Sequence, residues 1–291
     1  MSDLRKKLAL FRMPAALCTP TVDGVLIEIS VLLGFGCLSG VTTVLFGFGG
    51  GFITVPVVYA FALARPEHAL GAMHVAVATS TAVMVVNAGS ATLAQLRAGR
   101  LRRDYLWPLI AFIGLGAVLG SFAATMADES LLRWLFVAYL ALTIADSVLR
   151  KGFVSRRDDS LPRGLGGITT TAGGTGIGAV ASFLGVGGSV LTVPLMRRKG
   201  LPMADATALA NPLSLPVAVI GTAVYAFAAT GTAPGTAHLG YIDLVAAGAL
   251  LCGSLPTIAV TRRVVGRIPD RAHAIAYLAL LVAALIAIIV R

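Results

Sequence analysis

Long apolar blocks alternate along the chain with short clusters of charge. The blocks Val25–Phe46, Glu67–Leu96, Tyr105–Met126 and Leu131–Leu149 predict helices in the first part. Gly164–Leu184, Met203–Thr230, Tyr241–Val260 and Arg271–Val290 predict helices in the second. At about 1.5 Å per residue, runs of this length cross a hydrocarbon core roughly 30 Å thick. Two further apolar stretches, Phe52–Ala64 and Val190–Met196, are helical in character but too short to span. The blocks do not alternate with the two-residue period of a membrane strand, which excludes a β-barrel. The expectation is an all-α integral membrane protein. Five segments (25–149), a polar cytoplasmic linker (150–163) containing "SRRDDS", and five more (164–291) follow a basic N-terminal segment (1–24). The number of membrane segments is eight or ten, according to whether the short helices re-enter or complete a crossing.

The five-plus-five spacing is an internal repeat. "GFGGGFITVP" at Gly47–Pro56 returns as "GVGGSVLTVP" at Gly185–Pro194, 138 residues later. "AYLAL" at Ala138–Leu142 returns at Ala276–Leu280 with the same offset, and Arg133 and Arg271 keep it too. Between these anchors the halves drift: "HVAVATS" (74–80) lies opposite "DATALAN" (205–211).

Charge gives the orientation. Only 12 % of the 291 residues are charged, 57 % are apolar, and the net charge is +10. A soluble domain carries about a quarter charged residues. The basic residues gather between apolar runs, as in cytoplasmic loops, and lack the aromatic interleaving of a nucleic-acid surface. In the first half the loop at Arg97–Arg103 is basic and Ala127–Ser130 is acidic. In the second, Gly231–Gly240 is uncharged, while Arg262–Arg271 and Arg197–Lys199 are basic. Basic and non-basic loops thus swap between halves, so the halves lie in opposite senses, the plan of many secondary carriers. Against this plan, Arg5, Lys6, Lys7 and Arg12 vote for an inside N-terminus.

The repeated turn carries the candidate chemistry. Each half holds a helix that ends at the glycines and a short helix that starts there. A helix start acts like about half a positive charge with its N–H groups bare. Two such starts brought together form a polar spot suited to a small oxyanion. The candidate binding residues are Gly49, Gly50, Gly51 and Thr54 in the first turn, and Gly187, Gly188, Ser189 and Thr192 in the second. Thr79, Ser80 and Asn87, with Asn211 and Ser214, join them from the next helix of each half. Asn211-Pro212 is expected to interrupt its helix. Helix dipoles contribute about 0.3–2 kcal/mol each, so direct hydrogen bonds must supply the rest of the desolvation of an anion. His74 and Asp205, set opposite each other by the repeat, are the candidates for a coupling proton. The competing reading of both is a helix start reaching interfacial water.

Other motifs add little. Gly34, Gly36, Gly40, Gly114, Gly116 and Gly120 read as close-packing glycines. No strand precedes either glycine turn and no Gly-Lys-Ser/Thr follows, which excludes a dinucleotide or ATP loop. Asp146 pairs locally with Arg150 four residues on. Cys18, Cys37 and Cys252 show no metal spacing and read as packing residues. No Ser/His/Asp set, HExxH or CxxC suggests an enzyme, a metal or a cofactor.

The doubled glycine turn closed by Thr-Val-Pro, within two similar apolar halves, resembles the TauE/SafE family of sulfite and organosulfonate permeases over essentially Val25–Val290. Ser189 in place of Gly51 is its one departure in the second turn. The resemblance implies a secondary carrier for a small sulfur-containing anion in the bacterial inner membrane, working by alternating access. The partners expected are the anion and the lipid bilayer, without nucleic acid, and a homo-oligomer stays open. A channel, or a membrane enzyme or subunit of sulfur metabolism, remains the alternative. Substrate, direction and coupling ion are not given by the sequence.

Overall fold

The computed structural model describes residues 22–64, 71–99, 101–149, 164–228, 237–264 and 269–289. Most of the basic N-terminal segment, the 150–163 linker and Arg65–Glu67 lie outside these residues. The elements are α1 (Val22–Phe46), α2 (Gly51–Ala64), α3 (Ala72–Arg97), a single turn α4 (Arg103–Leu106), α5 (Leu109–Thr125) and α6 (Glu129–Leu149). A π turn at Thr169–Gly173 leads into α7 (Gly174–Leu184). Then come α8 (Ser189–Arg198), α9 (Met203–Ala228), α10 (Leu244–Val264) and α11 (Asp270–Ile289). A two-residue strand pair, β1 (His238–Leu239) and β2 (Ile242–Asp243), precedes α10.

Among the described residues, seven helices are long and apolar enough to cross a membrane: α1, α3, the α4–α5 run, α6, α9, α10 and α11. The short helices α2 and α8 have 14 and 10 residues. At about 1.5 Å per residue neither crosses a core of roughly 30 Å. Outward faces remain apolar, with Phe122 58 % and Leu142 71 % exposed. Such surface suits hydrocarbon.

Several boundaries differ from expectation for local reasons. The expected helix at Glu67 begins only at Ala72, because Gly71 sits at φ 89°, outside the right-handed region. The single helix expected from Tyr105 breaks at Trp107. Pro108 has no N–H and holds Trp107 extended at φ −104°, ψ 131°. Tyr241 lies in the strand-pair turn, and α10 starts only after Asp243, whose Oδ1 accepts from the Val245 and Ala246 N–H groups at 2.9 Å each. That is an N-cap. Asn211-Pro212 does not interrupt α9, which runs through both Pro212 and Pro216. Its cost is one lost helical donor to the Ala208 carbonyl.

The packing is crossed. α1, which leads into the first turn, packs on α10, and α7, which leads into the second, packs on α5. α3 packs on α9, and α6 on α11. Glycines set the two crossed contacts. A Cβ on Gly36, Gly40 or Gly253 would strike backbone across α1–α10, and one on Gly116, Gly120 or Gly178 would do so across α5–α7. Gly34 and Gly114 do not serve this way, since the first faces open space and the second meets only ordinary contacts at 3.6 Å or more. Asp146 pairs with Arg198 of α8; Arg150 lies outside the described residues. Cys37 and Cys252 are exposed, not packed.

Gly120→Val, which overpacks against Ala179, is expected to destabilise by about 1–3 kcal/mol. Thermal unfolding in detergent checks this, with Gly34→Ala expected to leave the midpoint unchanged.

Candidate functional site

Both turns are buried at the centre of the bundle. In the first, Gly47, Gly49 and Gly50 take φ values of 71°, 62° and 90°. In the second, Gly185 and Gly187 take 67° and 51°. These left-handed positions require glycine. Gly188, by contrast, has φ −67°, and Ser189 is the first residue of α8 in ordinary helical geometry. This explains how serine replaces Gly51: neither position needs a left-handed backbone.

The two turns meet. A Cβ on Gly51 would lie 3.0 Å from the Gly185 carbonyl oxygen. Ser80 of α3 reaches both, its Oγ lying 2.7 Å from the Gly185 carbonyl and 3.1 Å from the Gly51 carbonyl. One hydroxyl proton is shared between two carbonyls that belong to opposite halves of the chain. One helical turn on, Met84 fills the gap between the turns. A Cβ on Gly49 would lie 2.7 Å from its Cγ, and one on Gly187 2.6 Å from its Sδ. α3 therefore receives both turns on one face, as the i, i+4 spacing of Ser80 and Met84 dictates. α9 does the same from its side, with Thr207 and Ala210 against Gly47 and Ser214 against Gly187.

The remaining candidates separate into occupied and unoccupied groups. Thr54 Oγ1 donates back to the Gly50 carbonyl at 3.0 Å. Asn87 donates to Ser39 at 3.4 Å and accepts from Ser254 at 2.7 Å. Thr79 Oγ1 accepts the Asp243 N–H at 3.0 Å, and Ser214 donates to Ala210 within α9. Asn211 Nδ2 donates to the Thr43 carbonyl at 3.1 Å. Among the described residues, Asn211 Oδ1, Ser189 Oγ, Thr192 Oγ1 and Ser182 Oγ are buried without a hydrogen-bond partner.

The proton candidates do not come together. His74, 9 % exposed, donates from Nε2 to the Ala124 carbonyl at 3.1 Å and faces the Tyr241 ring. Asp205 is exposed in the first turn of α9. No hydrogen bond or ion pair joins the two among the described residues. Four polar residues escaped the sequence reading. Ser39 and Ser254, on α1 and α10, hold Asn87. Glu129 caps α3 by accepting from the Gly71 and Met73 N–H groups at 3.2 Å each. Asp243 caps α10 as described above. An acidic residue just before an apolar run, as in "IDLVAAG", is the signal that marks the Asp243 cap, whereas Glu129 caps a helix distant in the chain.

Two cavities lie elsewhere. The larger, about 840 Å³, is an apolar cleft between α5, α6, α7 and α8 with Asp146 and Arg198 among its lining. The smaller, about 10 Å³, is lined by Glu28 and Asp243 with apolar neighbours. Neither is lined by residues of the glycine turns.

Ser80→Ala leaves the Gly185 carbonyl buried without its donor and is expected to cost about 1–3 kcal/mol. Thermal unfolding checks it, and Ser80→Thr, which restores a hydroxyl, should recover part of the loss.

Residues 32–288 match the family model described as "Sulfite exporter TauE/SafE". No curated protein and no solved structure matches the chain. The family match spans both glycine turns and takes in all or most of each of the seven membrane-length helices but the first, which it enters at residue 32, as expected of a multi-pass membrane protein. The chain belongs to the TauE/SafE family of sulfite exporters.

Proposed function

We infer that this protein is a secondary carrier that moves a small sulfur-containing oxyanion, sulfite or an organosulfonate, across the bacterial inner membrane by alternating access. The observation that carries the reading is the meeting of the two glycine turns at Ser80 and Met84. Two helix starts, those of α2 and α8, lie side by side where the bundle is most buried. The window of α3 that receives them is 78 % buried, against 33 % for the outer helices α6 and α11. Backbone N–H groups at Gly49, Gly50, Gly51, Gly187, Gly188 and Ser189 are the proposed donors, with the Thr192 hydroxyl beside them.

The crossed packing supports two inverted repeats, 25–149 and 164–291, around a cytoplasmic linker. The helix before each turn packs on the fourth helix of the other half, while like helices pair as α3–α9 and α6–α11. A two-fold relation between halves produces such a pattern. Alternating access then amounts to one half rocking against the other about the paired turns. The turns are tightly packed, so this is an occluded arrangement, and Ser80 is the pin that links the halves. His74, buried at the start of α3, is the better placed of the two proton-coupling candidates. The role is transport, not catalysis.

Gly188→Leu tests the site without straining the backbone, since φ −67° suits any residue and the nearest atom to a new Cβ is Ile177 Cγ2 at 3.2 Å. Purified protein titrated with sulfite, sulfate, thiosulfate, taurine, phosphate and acetate should show a thermal shift that grows as RT ln(1 + [L]/Kd) for a sulfur oxyanion. The shift should vanish in Gly188→Leu. A folded protein with a flat response to every anion would count against the anion site.

A further inference from the structure

The two halves keep the same backbone at their turns and differ in what covers it. The Thr54 N–H bonds the Gly50 carbonyl at 3.1 Å, and the Thr192 N–H bonds the Gly188 carbonyl at 2.8 Å. The cover of the first turn is aromatic. The Phe46 ring centre lies 5.3 Å from that of His273 and 6.0 Å from that of Tyr277. The Phe48 ring lies 5.2 Å from Tyr277 and 5.0 Å from Phe52. These five rings seal the first turn against α11. The 138-residue offset of the repeat puts Leu184, Val186 and Val190 where the first turn has Phe46, Phe48 and Phe52. It likewise puts Leu135 and Tyr139 of α6 where α11 has His273 and Tyr277. Four of the five rings are therefore aliphatic in the second half, and an aliphatic side chain covers less area than a ring.

The missing rings leave the cleft of about 840 Å³, with Leu184, Leu135 and Tyr139 in its lining. Neither cavity is lined by any of the first half's five rings. Leu191, Pro194 and Leu195 of α8 form one wall. Leu119 of α5, Leu142 of α6 and Val180 of α7 also line the cleft and are exposed. It thus opens on the outer surface that these helices present to hydrocarbon. Its volume falls within the roughly 300–1,000 Å³ of ligand pockets.

Its only charged lining residues are Asp146 and Arg198, which pair with each other. They sit where α6 and α8 end, at Leu149 and Arg198, beside the basic stretch 197–199. Asp146 meets one arm of a guanidinium that has five N–H donors, and the Arg198 side chain stays 42 % exposed. Arg198 and Lys199 against Asp146 make this mouth positive.

We propose that the cleft is a binding site for an anionic diacyl phospholipid, with an acyl chain lying against α8 and the phosphate at Arg198 and Lys199. An apolar void beside hydrocarbon forfeits dispersion contacts until it is filled, and the material next to it is acyl chain. Water has too few polar partners in such a lining. A basic mouth between membrane helices selects an anionic headgroup. The lipid then backs α8 as the aromatic stack backs α2. The assignment does not depend on the carrier reading.

Native mass spectrometry tests this on the purified full chain, stripped of lipid in detergent. The probes are phosphatidylglycerol and phosphatidylcholine with the same acyl chains. One phosphatidylglycerol per chain should bind about fivefold more tightly than phosphatidylcholine, the worth of one net cationic charge at the surface. Arg198→Gln should erase the preference and leave phosphatidylcholine unchanged. Leu135→Trp and Val180→Trp, which fill the opening, should each weaken both lipids by about tenfold, the worth of about two methylenes kept out of the cleft.

Equal affinity for the two lipids in the native chain, or a preference that survives Arg198→Gln, would overturn the anionic headgroup. Unchanged lipid binding by folded Leu135→Trp and Val180→Trp would overturn the cleft as the site. Should both variants fail to fold, the native chain decides, with a phosphatidylglycerol carrying a diazirine in its acyl chain. Label concentrated on α5, α6, α7 and α8, and displaced by unlabelled phosphatidylglycerol, supports the site. Label spread equally over α1, α10 and α11 overturns it. A native dimer that Leu135→Trp splits into monomers would show a second copy covering the cleft and overturn the lipid.

Discussion

A backbone polar group exposed to hydrocarbon costs several kcal/mol, and this chain breaks two helices in the middle of its apolar sequence. That constraint shapes the rest of the molecule. Glycines at positive φ leave turns that no single helix can satisfy, so the turns must be enclosed by protein. α3 and α9 enclose them. Both run to 26 residues and are the most buried of the membrane-length helices, and each presents small or polar residues toward the glycines: Ser80 on one, Thr207, Ala210 and Ser214 on the other. The outer helices then wrap the pair, with Gly36, Gly40 and Gly253 on one side and Gly116, Gly120 and Gly178 on the other allowing backbone-to-backbone approach. In lipid, where burying an apolar side chain against another gains little, such close contact is what holds helices together.

The same constraint accounts for what was legible in the sequence. Membrane-length runs, the short α2 and α8, and the recurrence of the turn follow from composition and spacing, because length against bilayer thickness and the rarity of glycine clusters are strong signals. Cap positions were less legible. Glu129 and Asp243 satisfy helix starts through contacts 58 residues away in the first case and within three residues in the second. Asp243 sits in the local pattern a cap requires, yet the apolar run "YIDLVAAG" hid it behind a helix drawn from Tyr241. Glu129 caps a helix that precedes it in the chain, a tertiary relation no local pattern reveals.

Side-chain pairing was the least legible part of the site. Matching positions in a duplicated motif suggest matching roles, and Thr54 and Thr192 do match in backbone hydrogen bonding. They differ in their hydroxyls, because χ1 of threonine chooses between the i−4 carbonyl and other directions. His74 and Asp205 illustrate the same limit. The repeat sets them opposite each other, but His74 is turned toward Ala124 and Tyr241 while Asp205 faces outward. Correspondence along the chain fixes where a residue's Cα lies in its helix, and leaves the direction of its side chain to the neighbours.

On the carrier reading proposed above, the unequal commitment of the two turns has a use. If both turns offered free donors at equal strength, an anion between them would be held by two helix starts at once, and the rocking that exchanges access would have to break one set. Committing the first turn's hydroxyl and amide groups to the protein removes that competition. The first turn is tied through Asn87 to α1 and α10. The second keeps the Ser189 and Thr192 hydroxyls without a partner among the described residues, and Ser80 links the two turns, since its single proton is shared between a carbonyl of each. One hydroxyl set between the two carbonyls holds the turns in register with each other.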